Sequence, residues 1–325
     1  MKTEILKILR QTDGFVSGQE LCDRLQVSRT AVWKRMKKLQ EEGYVIEAVQ
    51  NKGYRLAQSP DLIQADEVRS WLSSQWLGKE LYYKESVDST NTWAKKLAEE
   101  GASHGTVVLA DEQTAGKGRR GRVWENPKGV NLAFTFLLRP DFLPEAAPML
   151  TLVMGLSVAQ VCRKFGLDAW IKWPNDVVVN KKKICGILTE MSAQIDYVNY
   201  VVIGTGINVN QESIPKELED RATSFYLETG KLSQRARIAA AVIETFEKNY
   251  ETFTKTCDLS LLMDNYNRIL VNNRQQVKVL DLNREFTGTS EGITSKGELL
   301  VRKEDGKIEK IMAGEVSVRG FYGYV

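Results

Sequence analysis

Histidine is almost missing. The chain has 325 residues and a single histidine, His104. A histidine-based triad and a metal centre with several histidines are both excluded by that count. Chemistry must therefore lean on Lys, Arg, Asp, Glu and backbone donors. His104 stands between Ser103 and Gly105, before a strand-like run, and reads as a structural or solvated group. Cysteine is also sparse: Cys22, Cys162, Cys185 and Cys257 are far apart and form no C-x-x-C pair. That excludes a thiolate zinc site and a disulfide frame, and it suits a reducing, cytoplasmic setting. Net charge is only +3, so any polyanion must be met by local charge. Long apolar runs are lacking too. Met149 to Val161 is interrupted by Thr, Gly, Ser and Gln, and predicts a buried helix rather than a span. The opening MKTEILKILR has no signal-peptide core, and no membrane association is expected. No repeat and no low-complexity segment is present.

What is there centres on Asp111 to Trp124, DEQTAGKGRRGRVW. Gly116, Gly118 and Gly121 alternate with Lys117, Arg119, Arg120 and Arg122, and no acid interrupts them. Glycine lets a backbone approach a ligand closely, and arginine grips carboxylate or phosphate with a planar fork. The stretch predicts a mobile loop that closes over an anion. Its letters also spell G-x-G-x-x-G, but a dinucleotide site needs a helix to open at the glycines. Glu125-Asn126-Pro127-Lys128-Gly129 does not start one. A solvated basic loop is the plainer alternative.

The N-terminal sixty residues predict three short helices and a hairpin. Ile5, Leu6, Ile8 and Leu9 have helical spacing. Ser17 with Glu20 forms a capping box for a second helix. Ser28 caps a third, Arg29 to Glu42, ended by Gly43. Tyr44 to Glu47 and Gly53 to Leu56 alternate around Asn51-Lys52-Gly53 as a wing. This is the pattern of a winged helix-turn-helix whose third helix enters a major groove. Between Arg29 and Lys38 lie five cations and no acid. Ser28, Arg29, Thr30, Trp33, Lys34 and Lys37 stand off the apolar stripe as candidate DNA contacts, with Lys52 and Arg55 on the wing for phosphates. A winged helix used only for protein contact is the alternative.

Gln58 to Asp61 reads as a linker, and Ala65 to Leu77 as an amphipathic helix. Ser89, Thr90 and Asn91 sit where a strand turns into a helix, Thr92 to Glu99. They either gather donors for a ligand or merely cap that helix. Strands are expected at Leu81 to Lys84, Thr106 to Ala110, Asn131 to Leu138, Val177 to Val179, Ile184 to Glu190 and Tyr197 to Ile203. Helices are expected at Pro148 to Phe165, Leu232 to Phe253 and Leu259 to Leu270. Strands linked by hairpins, with helices in separate blocks, predict an α+β domain with a mixed, mainly antiparallel sheet. Short strands with glycine turns follow: Val277–Leu280, Arg284–Gly288, Glu291–Thr294, Glu298–Val301, Ile308–Ile311 and Glu315–Val318. They predict a small barrel of about fifty residues. Asp176, after Lys172-Trp173-Pro174-Asn175, either holds Mg²⁺, orients Lys172 or forms a structural ion pair. With two cationic sources, the glycine loop and a hairpin whose basic turn is Asn180-Lys181-Lys182-Lys183, and almost no histidine, phosphoryl or adenylyl transfer is the compatible chemistry, because it needs positioning and charge neutralisation.

The ordered motifs resemble those of bifunctional biotin protein ligases that also repress a biotin operon. They are Ser89-Thr90-Asn91, Gly116 to Arg122 with Trp124, Lys172-Trp173-Pro174-Asn175-Asp176, Lys183 ahead of Gly186-Ile187-Leu188, and Gly204-Thr205-Gly206-Ile207-Asn208. The resemblance covers the whole chain. It implies three domains: a winged helix over 1–62, a class II synthetase-like catalytic domain over 65–270, and an SH3-like barrel over 271–325. It implies that biotin and ATP give biotinyl-5′-adenylate, with Mg²⁺ as cofactor, and that the biotinyl group passes to a lysine of a biotin carboxyl carrier protein. Ser89, Thr90 and Gln113 would bind the ureido ring, with Asn91 and Gly186 completing the site. Backbone donors near Lys117, Gly118 and Arg119 would meet the valerate carboxylate. Lys183 and Arg119 would be catalytic. Arg119, Arg120 and Arg122 would face phosphates, Trp124, Lys172, Asn175 and Asp176 would complete the nucleotide side, and Asn208 would lie near adenine. Glu315 and Arg319 match family positions on that side. Lys117 departs from the arginine common in the family, which removes a two-pronged side-chain contact there. Adenylate would favour a homodimer along an exposed strand near Thr189 to Ser192 and so operator binding. A repressor that only senses its ligand and a lipoate ligase are the rival readings.

Overall fold

The computed structural model describes residues 1–280, 285–313, 317–320 and 324–325. It divides into two compact units, 1–73 with 234–240, and 74–233 with 241–325.

The first unit opens with α1 (Lys2–Gln11), α2 (Gly18–Leu25) and α3 (Arg29–Glu41), followed by β1 (Val45–Val49) and β2 (Gly53–Gln58) as an antiparallel wing. Ser17 and Ser28 cap α2 and α3 as their spacing predicts, accepting from Glu20 N–H at 3.0 Å and Ala31 N–H at 3.3 Å. The apolar stripes of the three helices meet over Leu6, Leu21, Val32, Met36 and Leu39. The wing is stitched to the α1–α2 connection by paired bonds between Val16 and Tyr54, both 2.8 Å. Gly53 permits this, since its φ is +108° and a Cβ there would lie 2.0 Å from the Val16 carbonyl oxygen. The expected linker is not loose. Asp61 accepts from Arg235 N–H and Nε at 2.9 and 2.7 Å.

The helix expected over Ala65 to Leu77 stops early, as α4 (Ala65–Trp71). Its inner face carries Glu67, fully buried, which accepts from Arg10, from the Tyr44 hydroxyl and from Trp71 Nε1. Arg10 also stacks 4.1 Å from the Trp71 ring. Burial first, then Glu67, push the Tyr44 phenol far up, so it stays a donor. Arg10→Ala strips a buried carboxylate of its countercharge and is expected to cost this unit about 3 kcal/mol. The readout is faster hydrogen exchange across α1 to α4 in the full chain. Unchanged protection would mean that Tyr44 and Trp71 suffice.

The second unit is built on a seven-stranded sheet. Its elements are β3 (Leu81–Val87), α5 (Thr90–Glu99), β4 (Thr106–Gln113), β5 (Leu132–Leu138), α6 (Leu150–Lys164), β6 (Ala169–Lys172), β7 (Asp176–Val179), β8 (Lys182–Ala193), β9 (Val198–Ile207), α7 (Phe225–Thr229), α8 (Arg235–Phe253, of which 235–240 belong to the first unit) and α9 (Met263–Arg268). The strand order is β3-β4-β5-β9-β8-β7-β6, with only β3 and β4 parallel. This is the mixed, mainly antiparallel sheet the hairpin pattern predicts. α5 packs Ala94 and Ala98 on Val108, Leu137 and Val202. α6 crosses the sheet at Gly155, close to Ile171 and Ile187. The helical stretch Pro144–Lys164 spans 21 residues at mean hydropathy 1.4, long and apolar enough to cross a membrane, yet its most apolar window is 78% buried in this core.

Two helix expectations shrink. The segment after Leu72 turns, because Glu247 of α8 accepts from three consecutive amides, Gln75, Trp76 and Leu77, at 2.7 to 2.9 Å. The stretch Leu259 to Leu270 is helical only in α9. His104 is structural: its Nδ1 accepts from Arg139 N–H at 3.0 Å, and its ring lies 4.7 Å from that of Trp76. Burial lowers its pKa, so it stays neutral.

The C-terminal strands are β10 (Gln276–Leu280), β11 (Glu285–Ile293), β12 (Leu299–Arg302), β13 (Ile308–Ile311) and β14 (Ser317–Gly320), antiparallel in the order β13-β12-β11-β10-β14. Two expected strands merge into β11. Gly288 lies flat under the Arg302 carbonyl instead of turning, and the bend falls at Gly292, with φ +95°. Among the described residues β13 and β14 do not pair, so the SH3-like curl is left open. Arg284, Glu315 and Val316 of the predicted strands, and with them the nucleotide-side role of Glu315, lie outside the described residues.

Candidate functional site

Three glycines clear a patch in the middle of the large sheet. Gly186 on β8 pairs with Gly206 on β9, and Gly204 pairs with Leu188. Neighbours fill the space that side chains would take. A Cβ on Gly204 would lie 2.2 Å from Asn91 Oδ1, one on Gly206 2.3 Å from the Trp124 indole, and one on Gly186 2.9 Å from Lys183 Nζ.

Over this floor stands the start of α5. Ser89 occupies the N-cap position but its side chain makes no capping bond. Thr90 donates its N–H to Gln113 Oε1 at 2.8 Å, and its hydroxyl lies 3.0 Å from the same oxygen. Asn91 is held on three sides, by Thr135 Oγ1 at 2.8 Å, the Leu188 carbonyl at 3.1 Å and Glu190 at 2.8 Å. Ser89 makes no capping bond and the Asn91 amide is spent on Thr135, Leu188 and Glu190, while both residues line the small cavity over the glycine patch. Thr135 escaped sequence reasoning, although a lone hydroxyl in the strand Leu-Ala-Phe-Thr-Phe-Leu-Leu was a signal.

The glycine loop is not a loose strap. Lys117 and Val123 form a bridge, Gly118 N–H donates to the Arg122 carbonyl at 2.7 Å, and Trp124 N–H to that of Gly116 at 2.9 Å. Arg120 turns the tip at φ +58°. Lys117 Nζ reaches Thr92 at 3.2 Å, and Arg119 donates to Asn175 Oδ1 at 2.9 Å. The closed hairpin drives Trp124 onto Gly206, where its Nε1 is buried without an acceptor among the described residues. About 40 Å³ of space remains there, lined by Ser89, Thr90, Asn91, Gln113, Lys117 and Gly118. That is room for little more than a water, so the indole must withdraw before a ring can enter.

A second cavity, about 140 Å³, gathers Arg119, Arg120, Arg122, Lys172, Lys183 and Arg319 around one acid, Asp176. Lys172 and Asp176 pair across the β6–β7 hairpin, and Asn175 in its turn bonds Ile187 of β8 in both directions at 3.0 Å. Lys183 Nζ lies 2.6 Å from Asp176 Oδ1. Tyr324 donates its hydroxyl to Asp176 Oδ2. Burial pushes the Asp176 carboxyl up, but the Lys183 and Lys172 ammonium groups outweigh it and hold it below its usual range. Burial pulls Lys172 down to about 8, against the pull of Asp176. Of the three alternatives for Asp176, what the side chains show is an ion pair, and its partner is Lys183.

A third cavity, about 750 Å³, is wider and partly apolar, with Ile214, Pro215, Leu218 and Arg221 beside Asn208. The Asn208 side chain donates to the Thr223 carbonyl at 2.9 Å. The segment 211–223 was missed, because it has neither helical nor strand periodicity. It is tied to the central lysine: Lys183 N–H donates to the Arg221 carbonyl at 2.7 Å, and Thr223 N–H to that of Lys183 at 2.9 Å. Lys183 and Trp124 line all three cavities.

The DNA candidates lie in the other unit. Trp33 is 53% exposed and Lys37 stands 5.3 Å from its ring. Ser28 is spent on its cap, and Thr30 and Lys34 are exposed on the first half of α3. Two cations are less free than their letters suggest, since Arg29 donates to Gln19 at 2.8 Å and Arg55 pairs with Glu47 at 2.7 Å. Lys52 is exposed at the wing turn.

Sequence profiles match along the chain: the "HTH domain" over residues 2–55, the "Biotin/lipoate A/B protein ligase family" over 83–208, and the "Biotin protein ligase C terminal domain" over 275–319. The chain is 38% identical to the "Bifunctional ligase/repressor BirA" of Bacillus subtilis, over 98% of both proteins. It is 32% identical to the protein of the same name from Escherichia coli, over 94% of this chain and 93% of that one. A solved structure, "Biotin protein ligase from Aquifex aeolicus in complex with biotin and ATP", superposes with a TM-score of 0.67 at 35% identity, over 74% of this chain and 99% of that chain.

Proposed function

The chain belongs to the family of bifunctional biotin ligase/repressors, and from that premise we propose that it joins biotin to ATP, passes the biotinyl group to a carrier lysine, and represses transcription through its winged helix. One observation carries the chemistry: Lys183 stands where a small ring pocket, a cationic pocket and a wide, partly apolar cavity meet. A biotin carboxylate oxygen attacks the α-phosphorus there, and the bond to the β-phosphate breaks to release pyrophosphate. The carrier amine then attacks the acyl carbon, loses a proton and expels AMP. Ser89, Thr90, Asn91 and Gln113 take the ureido ring over Gly186. Amides near Lys117 and Gly118 take the carboxylate. Arg119, Arg120, Arg122 and Lys172 neutralise phosphates, with Asn175 and Asp176 orienting them, and Asn208 and Trp124 flank the adenylate. Arg319 lines the same nucleotide side. DNA binding falls to 1–62, catalysis to 65–270, and 271–325 supports the nucleotide side. The free cysteines favour a reducing cytoplasm.

The residues do not fit a resident metal. Among the described residues Asp176 is the only acid lining the cationic cavity, and it is already ion-paired with Lys183 and hydrogen-bonded by Tyr324. No group of three His, Cys, Asp or Glu stands together among the described residues. Mg²⁺ enters only as the counterion carried by ATP phosphates.

The homodimer reading is supported by an open edge. β7 pairs with β8 only as far as Gly186, so Thr189 to Ser192 has β9 on one side alone among the described strands, and Met191 is 47% exposed. Adenylate orders the glycine loop around itself once Trp124 has withdrawn, the dimer forms, and two winged helices meet an operator. The test is labelled biotin incorporation into a carrier domain beside labelled lipoate, with gel shifts of genomic fragments. Biotin is expected to be transferred and lipoate not, and fragments to shift only with biotin plus ATP. Equal shifts without them would sink the coupling, and lipoate transfer the substrate.

Acidity gives an independent check. Lys172 carries its charge below about pH 8 and loses it above, while Asp176 stays anionic. Biotin-dependent exchange of labelled pyrophosphate into ATP is therefore expected to fall as pH rises through about 8. A flat profile in that range would remove Lys172 from phosphate binding.

A further inference from the structure

Tyr324 belongs to no motif, yet it walls both nucleotide-side cavities. Its phenol donates to one oxygen of Asp176, whose other oxygen holds Lys183 Nζ at 2.6 Å. Its ring lies 4.3 Å from Lys172 Nζ. One side chain thus touches the acid that orients one lysine and covers the other lysine directly. A lysine tied to a full carboxylate is a poor partner for an incoming anion, because it must first leave its counterion. A second donor on that carboxylate withdraws charge from the pair and loosens the hold.

Resting on the ligase reading, we propose that Tyr324 is a positioning residue for adenylate formation: its phenol shares Asp176 with Lys183 so that Lys183 can turn to the reacting acyl phosphate, and its ring keeps Lys172 facing the phosphates. The hydroxyl acts on turnover, through Lys183. The ring acts on ATP affinity, through Lys172. These two effects are separable by substitution.

Tyr324→Phe keeps the ring and removes the donor. In biotin-dependent ATP–pyrophosphate exchange it is expected to lower kcat about tenfold while KM for ATP stays within about twofold, the effect of one charge-assisted hydrogen bond. Tyr324→Leu is expected to raise KM for ATP several-fold in addition, as the cation loses its aromatic cover. Biotin affinity and melting temperature should match wild type in the Phe variant. Wild-type kcat in Tyr324→Phe overturns the proposal, and so does a joint loss of turnover, biotin affinity and melting temperature in both variants, which marks a merely structural side chain. A wild-type chain that exchanges no label overturns the ligase reading, and this proposal with it.

Discussion

Lys183→Ala is expected to lower biotin-dependent pyrophosphate exchange by about a thousandfold or more, with biotin still bound. One preorganised donor at a developing charge is commonly worth two to three decades in rate, roughly 3–4 kcal/mol. Here the same side chain lines all three cavities, so no neighbour replaces it. Lys172 lines the cationic cavity too, but it is buried and lies against the Tyr324 ring. The variant has a second consequence. Asp176, 8% exposed, loses its 2.6 Å cation and keeps only the Tyr324 hydroxyl as a direct partner, and a buried carboxylate stripped of its ion-pair partner destabilises a fold by several kcal/mol. The double variant Lys183→Ala/Asp176→Asn removes that charge and separates the two effects. It should recover the melting temperature of wild type and none of the exchange. If exchange returned as well, the loss would have come from the stranded acid, and Lys183 would have no role at the acyl phosphate.

How much of this was legible in the sequence differs by element. The winged helix was, because caps, apolar stripes and turn residues in 1–58 all act over a few residues. Ser17, Ser28 and Gly43 do in the fold what their letters say. The large sheet was legible as a class, since hairpins such as Asn180-Lys181 leave local marks. Helix ends were less so. Nothing near Leu72 tells that Glu247, 175 positions on, will take the next three amides and stop a helix. The site divides the same way. Lys183, Asp176 and the loop arginines could be picked by type and order. The role of Gly204, the closed state of Trp124, the wall at 211–223 and the Tyr324 phenol could not, because each depends on a partner far along the chain.

Gly204→Ala tests the part of the site that sequence reasoning could not reach. The new methyl would sit 2.2 Å from Asn91 Oδ1, 2.8 Å from its Cγ and 3.0 Å from its Nδ2. Ordinary contact begins near 3.4 Å, so the amide must retreat by roughly 1 Å. Its three hydrogen bonds, to Thr135, Leu188 and Glu190, leave it no second position. Losing two of them while burying their partners costs about 2–5 kcal/mol. Asn91 stands next to Thr90 at the rim of the pocket, so a weakening of biotin binding by about a hundredfold is expected, measured by titration calorimetry. Gly101→Ala is the matched control. Its φ is +93° but no atom lies within 4 Å of a new Cβ, so it should cost only backbone strain and leave biotin affinity alone. Adding Asn91→Ala to Gly204→Ala removes the clash without restoring the amide. A coupling of 1 kcal/mol or more in that cycle, at about the scale of neighbouring side chains, identifies the contact as the cause. Additive losses would mean that the glycine serves the strand and not the pocket.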